Sequence, residues 1–277
     1  MTKTWLVTGT SSGFGRELAT LLAQQTDVNL IATARKMSDL DYLDNFDHGQ
    51  IAKALLDVTN VDQIATIVNL AQDRFGGLDV LVNNAGLGYF ATIEESDDAA
   101  VRHMFDVNVF GLAAMTKAVL PIMRRQKSGT IVNLSSALGL VTLPTMGYYS
   151  ATKFAVEGYS EALQQEVADL GIDVMIVEPS GARTNWAGKS SQKDVPTIAD
   201  YAQFKDQVAG TNASAGSEPG DPEVIAQLIF EQVTAVTPTP KHLPLGHFAS
   251  AGSQAHLTTL LAEIKALSSL SDSADHA

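Results

Sequence analysis

Apolar residues gather in short unbroken runs along the chain, and between those runs they recur at helical spacing. "TWLVTG" (4–9), "NLIATA" (29–34), "AKALLDV" (52–58), "LDVLVNN" (78–84), "GTIVNLSS" (129–136) and "IDVMIVEP" (172–179) lack a sustained polar alternation, as strands do when both faces of their sheet are covered. Helical patterns over 14–25, 60–74, 97–124 and 147–170 separate them. This repeated alternation predicts an α/β fold, a single doubly wound parallel sheet with helices on both faces and right-handed crossovers. The whole chain, 1–277, reads as one domain.

The rhythm breaks at 185–220, which is polar and rich in Gly, Ser and Ala, including "AGTNASAGSEPGD". A stretch of this length without regular pattern serves as a lid, a binding segment or a disordered tract; it is assigned here as a substrate-binding loop or lid. "DPEVIAQLIFEQV" (221–233) restores a helix, with Asp221 as N-cap and Pro222 in the first turn. "PTPKHLPLG" (238–246) is then extended, 249–267 has helical spacing, and 268–277 is a frayed tail.

Composition narrows the functions available. A formal net charge of −13 opposes nucleic-acid and anionic-membrane roles, because an acidic surface repels phosphate. Any anionic cofactor must be held by local donors. The chain has no cysteine, which excludes disulfides, thiolate metal sites and a cysteine nucleophile. The histidines at 48, 103, 242, 247, 256 and 276 show no metal-ligand spacing, so no metal is expected. With no uninterrupted apolar run near 18 residues and no leader-like start, a cytoplasmic protein without membrane insertion is the expectation.

"VTGTSSGFGREL" (7–18) follows the first strand and opens the first helix. Gly9, Gly13 and Gly15 allow positive φ and close approach of a diphosphate, while Ser11, Ser12 and Phe14 line the turn and the helix start supplies amide donors. In this context the loop reads as a dinucleotide site. The second strand ends "ATARK": no carboxylate stands there to repel a 2′-phosphate, and the Arg35 guanidinium can clamp one, which favours NADP(H) over NAD. The bland alternative makes Arg35 and Lys36 a solvated start to the next element.

With Thr8, Gly9, Gly13 and Gly15, "NNAG" at 83–86, Ser136, and Tyr149 four residues before Lys153, all in this order, the chain resembles the short-chain dehydrogenase/reductase family over about residues 3 to 184. The resemblance implies a Rossmann-like one-domain fold, with Asp57 and Val58 bordering adenine and Asn84, Ala85 and Gly86 near the cofactor ribose. It makes Asn108 the helix asparagine that holds a relay water; the other reading of Asn108 is a side chain bonding its own helix backbone. It places Pro179 and Thr184 at the nicotinamide, with Ser180 where glycine is usual. It also implies a homodimer, paired through the helices 97–124 and 147–170.

Carbonyl reduction needs a proton at oxygen as hydride reaches carbon. Residues four apart share a helix face, so Lys153 lies beside Tyr149, and its charge is expected to favour the phenolate. Ser136, at a strand end, is expected to hydrogen-bond the substrate oxygen. With the Asn108 that the resemblance implies, the catalytic set is Asn108, Ser136, Tyr149 and Lys153, and the resemblance also places Tyr149 and Lys153 at the cofactor. Ser135 points to the other side of its strand, and Tyr148 lacks a charged partner one turn on. Leu138, Val141, Met146, Tyr148, Trp186, Tyr89 and Phe90 are either pocket or core. The expected partner is a small apolar carbonyl or alcohol; a catalytically silent NADPH-binding regulator on the same fold is the rival reading.

Overall fold

The computed structural model describes residues 2–188, 190–236 and 238–275; Lys189 in the loop segment and His276 and Ala277 in the tail lie outside them. β1 (Lys3–Val7) passes through the glycine turn into α1 (Gly13–Ala23). β2 (Val28–Ala34) is followed by a 3-10 segment (Met37–Phe46), and β3 (Ile51–Leu55) by α2 (Val61–Phe75). Next come β4 (Val80–Asn83), β5 (Gly88–Phe90) and α3 (Asp98–Phe105), which a π turn (Asp106–Gly111) joins to α4 (Leu112–Gln126). β6 (Gly129–Leu134), α5 (Gly147–Val167), β7 (Ile172–Pro179) and β8 (Ser191–Lys193) lead to α6 (Lys205–Ser214) and α7 (Pro222–Thr234). β9 (His242–Leu245), α8 (Ser253–Ala266) and α9 (Ser268–Asp272) complete the order.

Seven strands form one sheet in the order β3-β2-β1-β4-β6-β7-β9, with every pair parallel. Successive residues of β1 feed opposite faces, as strand pleating requires. Trp5 and Val7 pack with Leu18 and Leu22 of α1 and Ile225 and Ile229 of α7. Leu6 packs with Ile64 and Ile67 of α2, Met115 and Val119 of α4 and Leu163 of α5. Two helical layers thus cover the apolar runs, and the sheet is Rossmann-like and doubly wound.

Three segments differ from the sequence reading. The proline-punctuated stretch 238–246 supplies a seventh strand, β9, on the sheet edge, where Pro244 interrupts no central ladder. Within 185–220 the chain forms β8, a 3-10 segment (Ala199–Phe204) and α6, and β8 pairs in parallel with β5. Its polar composition reflects exposure, and the register is supplied by the loop after β4. In the tail, residues 268–272 are helical as α9.

Local chemistry explains the helix starts. Asn60 accepts from the amides of Asp62 and Gln63, Asp97 from Ala100 and Asp221 from Glu223, each satisfying first-turn donors. Among the described residues, Asp98–Gln126 is long and apolar enough to cross a membrane by length and composition; within this fold its Met115, Val119 and Met123 are buried against the sheet.

Candidate active site

A cavity of about 530 Å³ opens over the C-terminal ends of β1, β4, β6 and β7, where parallel α/β sheets bind their ligands. One end is bordered by Arg35, Asp57 and Val58, the middle by Gly9, Ser11, Ser12, Gly13, Phe14, Asn84, Ala85 and Gly86, and the other end by Ser136, Tyr149, Lys153, Pro179 and Thr184. Residues from nearly every motif picked out in the sequence therefore meet in one space.

The glycine turn is built for backbone approach. Gly9 has φ +70°, and a Cβ there would lie 3.0 Å from the Ala85 Cα. Gly13, at φ +58°, faces Thr184. The Thr8 hydroxyl accepts from the amides of Asn84 and Ala85 (2.9 and 3.0 Å), and the Asn84 amide group donates to the carbonyls of Thr8 and Gly9 (2.9 Å each). These bonds lock the β1 turn to the β4 turn. Ser12 stands at the N-cap of α1 without a side-chain cap bond, so amides of the first turn remain to meet an anion. Asp57 accepts from the Thr59 amide and hydroxyl, and these bonds, with Arg35 nearby, hold its carboxyl below the ordinary range. The cradle fits a dinucleotide by its donors and by the space that side chains at Gly9 and Gly13 would take.

Gly15 and Asn108 stand just outside the lining of the cavity. Gly15 does not border the cavity; a Cβ there would come within 2.4 Å of Asn84 Nδ2 and 2.5 Å of the Gly9 carbonyl oxygen, so its absence lets α1 pack on the turn. Asn108 lies in the π turn, 2 % exposed, behind the cavity wall. Its Oδ1 accepts from the Leu87 amide (2.7 Å), and its Nδ2 donates to the Leu87 carbonyl (2.9 Å) and the Thr152 hydroxyl (3.1 Å). The Thr152 hydroxyl donates in turn to the Tyr149 carbonyl (2.7 Å). Asn108 therefore ties the loop after β4 to the helix carrying Tyr149.

At the reactive end, Ser136 leaves β6 in extended conformation and its hydroxyl accepts from the Leu138 amide at 3.1 Å. Tyr149, 6 % exposed, borders the same end of the cavity as Ser136. Burial pushes the Tyr149 phenol above its ordinary range, and the nearby Ser136 hydroxyl opposes this. The expected depression by Lys153 is not what the isolated chain gives: the Lys153 ammonium donates to the Leu134 carbonyl at 2.7 Å and lies 5.7 Å from the phenol ring centre. Burial pulls the lysine itself down to about 8, against the charge of Glu157. Ser135, one residue earlier, also borders the cavity, and its hydroxyl and the Glu157 carboxyl both stand against Gly139.

Leu138, Met146, Trp186 and Phe90 border the cavity, and the Trp186 ring stands 4.8 Å from the Tyr149 ring. Val141 and Tyr148 pack behind this wall. Tyr89 is also core, its hydroxyl accepting from the Asp97 amide at 2.6 Å and donating to Asp194. Leu143, Gln207, Thr211, Glu218 and Phe248 border the cavity without having been singled out; no short motif marks them, because they arrive from separate loops and helices. Ser180, where glycine was expected, accepts the Ala249 amide at 2.8 Å on its hydroxyl, which fastens the C-terminal segment beside β7.

Residues 3–195 match the family model described as short chain dehydrogenase. An oxidoreductase of Botryotinia fuckeliana is 38 % identical over 234 residues, 83 % of this chain and 84 % of the relative. A short-chain dehydrogenase from Streptomyces avermitilis superposes with a TM-score of 0.88 at 36 % identity, covering 100 % of this chain and 99 % of its own. Solved neighbours hold either nicotinamide cofactor. A Burkholderia phymatum enzyme is in complex with NAD (TM-score 0.78, 26 % identity, 91 % of each chain). A serine dehydrogenase is in complex with NADP+ (TM-score 0.73, 26 % identity, 87 % and 93 %). With its motifs gathered in one cavity and its whole length superposing on such an enzyme, this chain is an oxidoreductase and belongs to the short-chain dehydrogenase/reductase family.

Proposed function

We propose that the protein is an NADP(H)-dependent oxidoreductase that interconverts a small apolar ketone or aldehyde and its alcohol. The observation that carries this reading is the convergence of Ser136, Tyr149 and Lys153 on one end of the cavity, with Tyr149 and Lys153 buried one helical turn apart. When bound, the nicotinamide supplies or accepts hydride. Ser136 orients the substrate oxygen and stabilises charge developing on it. Tyr149 Oη gives its proton to that oxygen in reduction and receives it in oxidation. Lys153 holds a positive charge one helical turn from the phenol, which favours release of the phenol proton.

Leu138, Leu143, Met146, Phe90 and Trp186 support an apolar substrate, and segment 185–220, which contributes Trp186, Gln207, Thr211 and Glu218 to the wall, supports a covering role. Arg35 at the adenine end supports NADP over NAD. Phe110 and Phe154, 63 % and 42 % exposed, support a homodimer paired through the π turn and α5. A cytoplasmic location belongs to the same reading, with the net charge of −13 in its favour. Spectrophotometric consumption of NADPH with a panel of apolar carbonyls, run beside Tyr149→Phe, tests the proposal. Turnover by wild type and its loss in the variant are expected; equal rates in both sink the mechanism.

A further inference from the structure

The helix that carries Tyr149 and Lys153 carries two more charged groups in the same register. Positions 149, 153, 157 and 161 are one turn apart on α5 and share a face. Tyr149, Lys153 and Glu157 are 6 %, 6 % and 5 % exposed. Glu157 does not border the cavity, so neither substrate nor cofactor accounts for a buried carboxyl there.

Four elements converge on it. Ser135 reaches it from the end of β6, Glu178 from β7, His242 from β9, and Lys153 and Glu161 from its own helix. His242 Nδ1 lies 2.7 Å from Glu178 Oε1 and 3.8 Å from Glu157 Oε2, and its Nε2 lies 3.9 Å from Glu161 Oε1. Glu178, fully buried, also accepts the Leu243 amide at 2.9 Å. A Cβ on Gly139 would come within 2.6 Å of Ser135 Oγ and 2.7 Å of Glu157 Oε1. The carboxyl thus presses on the loop leaving Ser136 as well as standing one turn behind Lys153. One end of the cluster reaches water, where the His242 side chain is 40 % exposed.

From this geometry we infer that Glu157, backed by Glu178 and His242, is a positioning residue that sets the charge of Lys153 from behind the active site. The inference rests on the reaction proposed above for Tyr149 and Lys153. Two buried carboxyls side by side cannot both ionise without nearby cations, and the basic side chains facing Glu157 are Lys153, one turn away on α5, and His242. Burial raises Glu157 to about 7 while Lys153 falls to about 8, so the two titrate as a coupled pair across neutral pH. With Glu157 ionised, the ammonium of Lys153 is supported; with Glu157 protonated, it loses that support.

The test follows the Lys153 ε-carbon by NMR in protein with 13C-labelled lysine, identified by its loss in Lys153→Met, alongside pH profiles of kcat and KM. In Glu157→Gln the Lys153 midpoint is expected to fall by about one pH unit. The alkaline limb of kcat should move with it, while KM stays within about twofold because Glu157 touches no ligand. Glu157→Asp should restore part of the shift. His242→Gln, which keeps a hydrogen-bonding side chain beside Glu178, should move the acid limb of kcat upward by removing the basic group that faces Glu157. An unchanged Lys153 midpoint in both Glu157→Gln and His242→Gln overturns the inference, as does a loss of kcat that is the same at every pH. Stoichiometric Mg2+ or Zn2+ binding that Glu157→Gln abolishes also overturns it, by making the cluster a metal site. The NMR midpoint needs no turnover, so failure of the carbonyl panel leaves this test standing.

Discussion

The Lys153 ammonium donates its hydrogen bond to the Leu134 carbonyl, not to the Tyr149 hydroxyl, although the two side chains stand one turn apart on the same helix. Burial holds the phenol above its ordinary range, and the nearby Ser136 hydroxyl opposes it. Removal of the phenol oxygen should therefore stop proton transfer while leaving the site assembled. Tyr149→Phe is expected to lower kcat by about 10²–10⁴-fold, and Ser136→Ala by about 10²–10³-fold. Steady-state rates beside NADPH affinity from fluorescence titration check this. A Tyr149→Phe enzyme that also fails to bind NADPH would assign the residue to assembly of the site.

Burial depresses Lys153 from 10.5 to about 8, and the sign of its effect on stability follows. A base with a lowered native pKa contributes stability that is present above its unfolded value and lost as pH falls through the native one. At pH 7 the buried ammonium therefore costs stability on the order of 1–3 kcal/mol. Lys153→Met should unfold at higher urea than wild type at pH 7, lose that advantage above about pH 10.5, and be catalytically dead. A variant less stable than wild type at pH 7 would contradict this.

Arg35 borders the same end of the cavity as Asp57, close enough to help keep its carboxyl ionised. A guanidinium that binds a 2′-phosphate contributes about 1.5–3 kcal/mol through charge-assisted bonds. Arg35→Ala should weaken NADPH by about 10–100-fold and leave NADH within about threefold. Titration of both cofactors on both proteins measures the ratio; equal weakening of the two removes the case for NADP preference.

Gly9 and Gly15 should fail differently. Alanine at Gly9 meets both a left-handed φ of +70° and the Ala85 backbone, so binding and stability should fall together. Alanine at Gly15 strikes Asn84 Nδ2 and the Gly9 carbonyl without entering the cavity. Its expected effect is a loss of about 1–3 kcal/mol by overpacking, with a smaller change in cofactor affinity. Urea unfolding and cofactor titration on the two variants separate the cases.

The exposed rings of Phe110 and Phe154 are the natural place to challenge the proposed dimer. Phe154→Glu places a charge on that face, in a chain already carrying a net charge of −13, and should shift the molecule toward monomer in analytical ultracentrifugation without altering the Tyr149 environment. A wild type that sediments as a monomer at working concentration would end this part of the proposal.

The sheet was legible because its central strands β2, β1, β4, β6 and β7 are covered on both faces and so appear as largely apolar runs. β9 escaped notice because an edge strand tolerates Pro244 and takes part of its bonding from a side chain, Leu243 donating to Glu178. Tyr149 and Lys153 were readable because both lie on one helix, where spacing is geometry. Glu157 and His242 were not, since 85 positions of sequence separate a residue of α5 from a residue of β9 that the fold brings within 3.8 Å. Asn108 was found by its motif, but its Leu87 and Thr152 partners depend on a backbone irregularity that no residue pattern announces.

That irregularity, the π turn at Asp106–Gly111, makes one rod of helix serve two directions. Met104 before it packs beside Tyr149, and Met115 after it packs under the sheet. Each residue in an α-helix advances the facing direction by about 100°, so the extra residue accommodated in the turn acts as a phase shifter between the two halves. Shortening the 29-residue rod by one residue would straighten its ladder and turn one half away from its partner. Substitutions along it can be graded one by one, but its length is quantised.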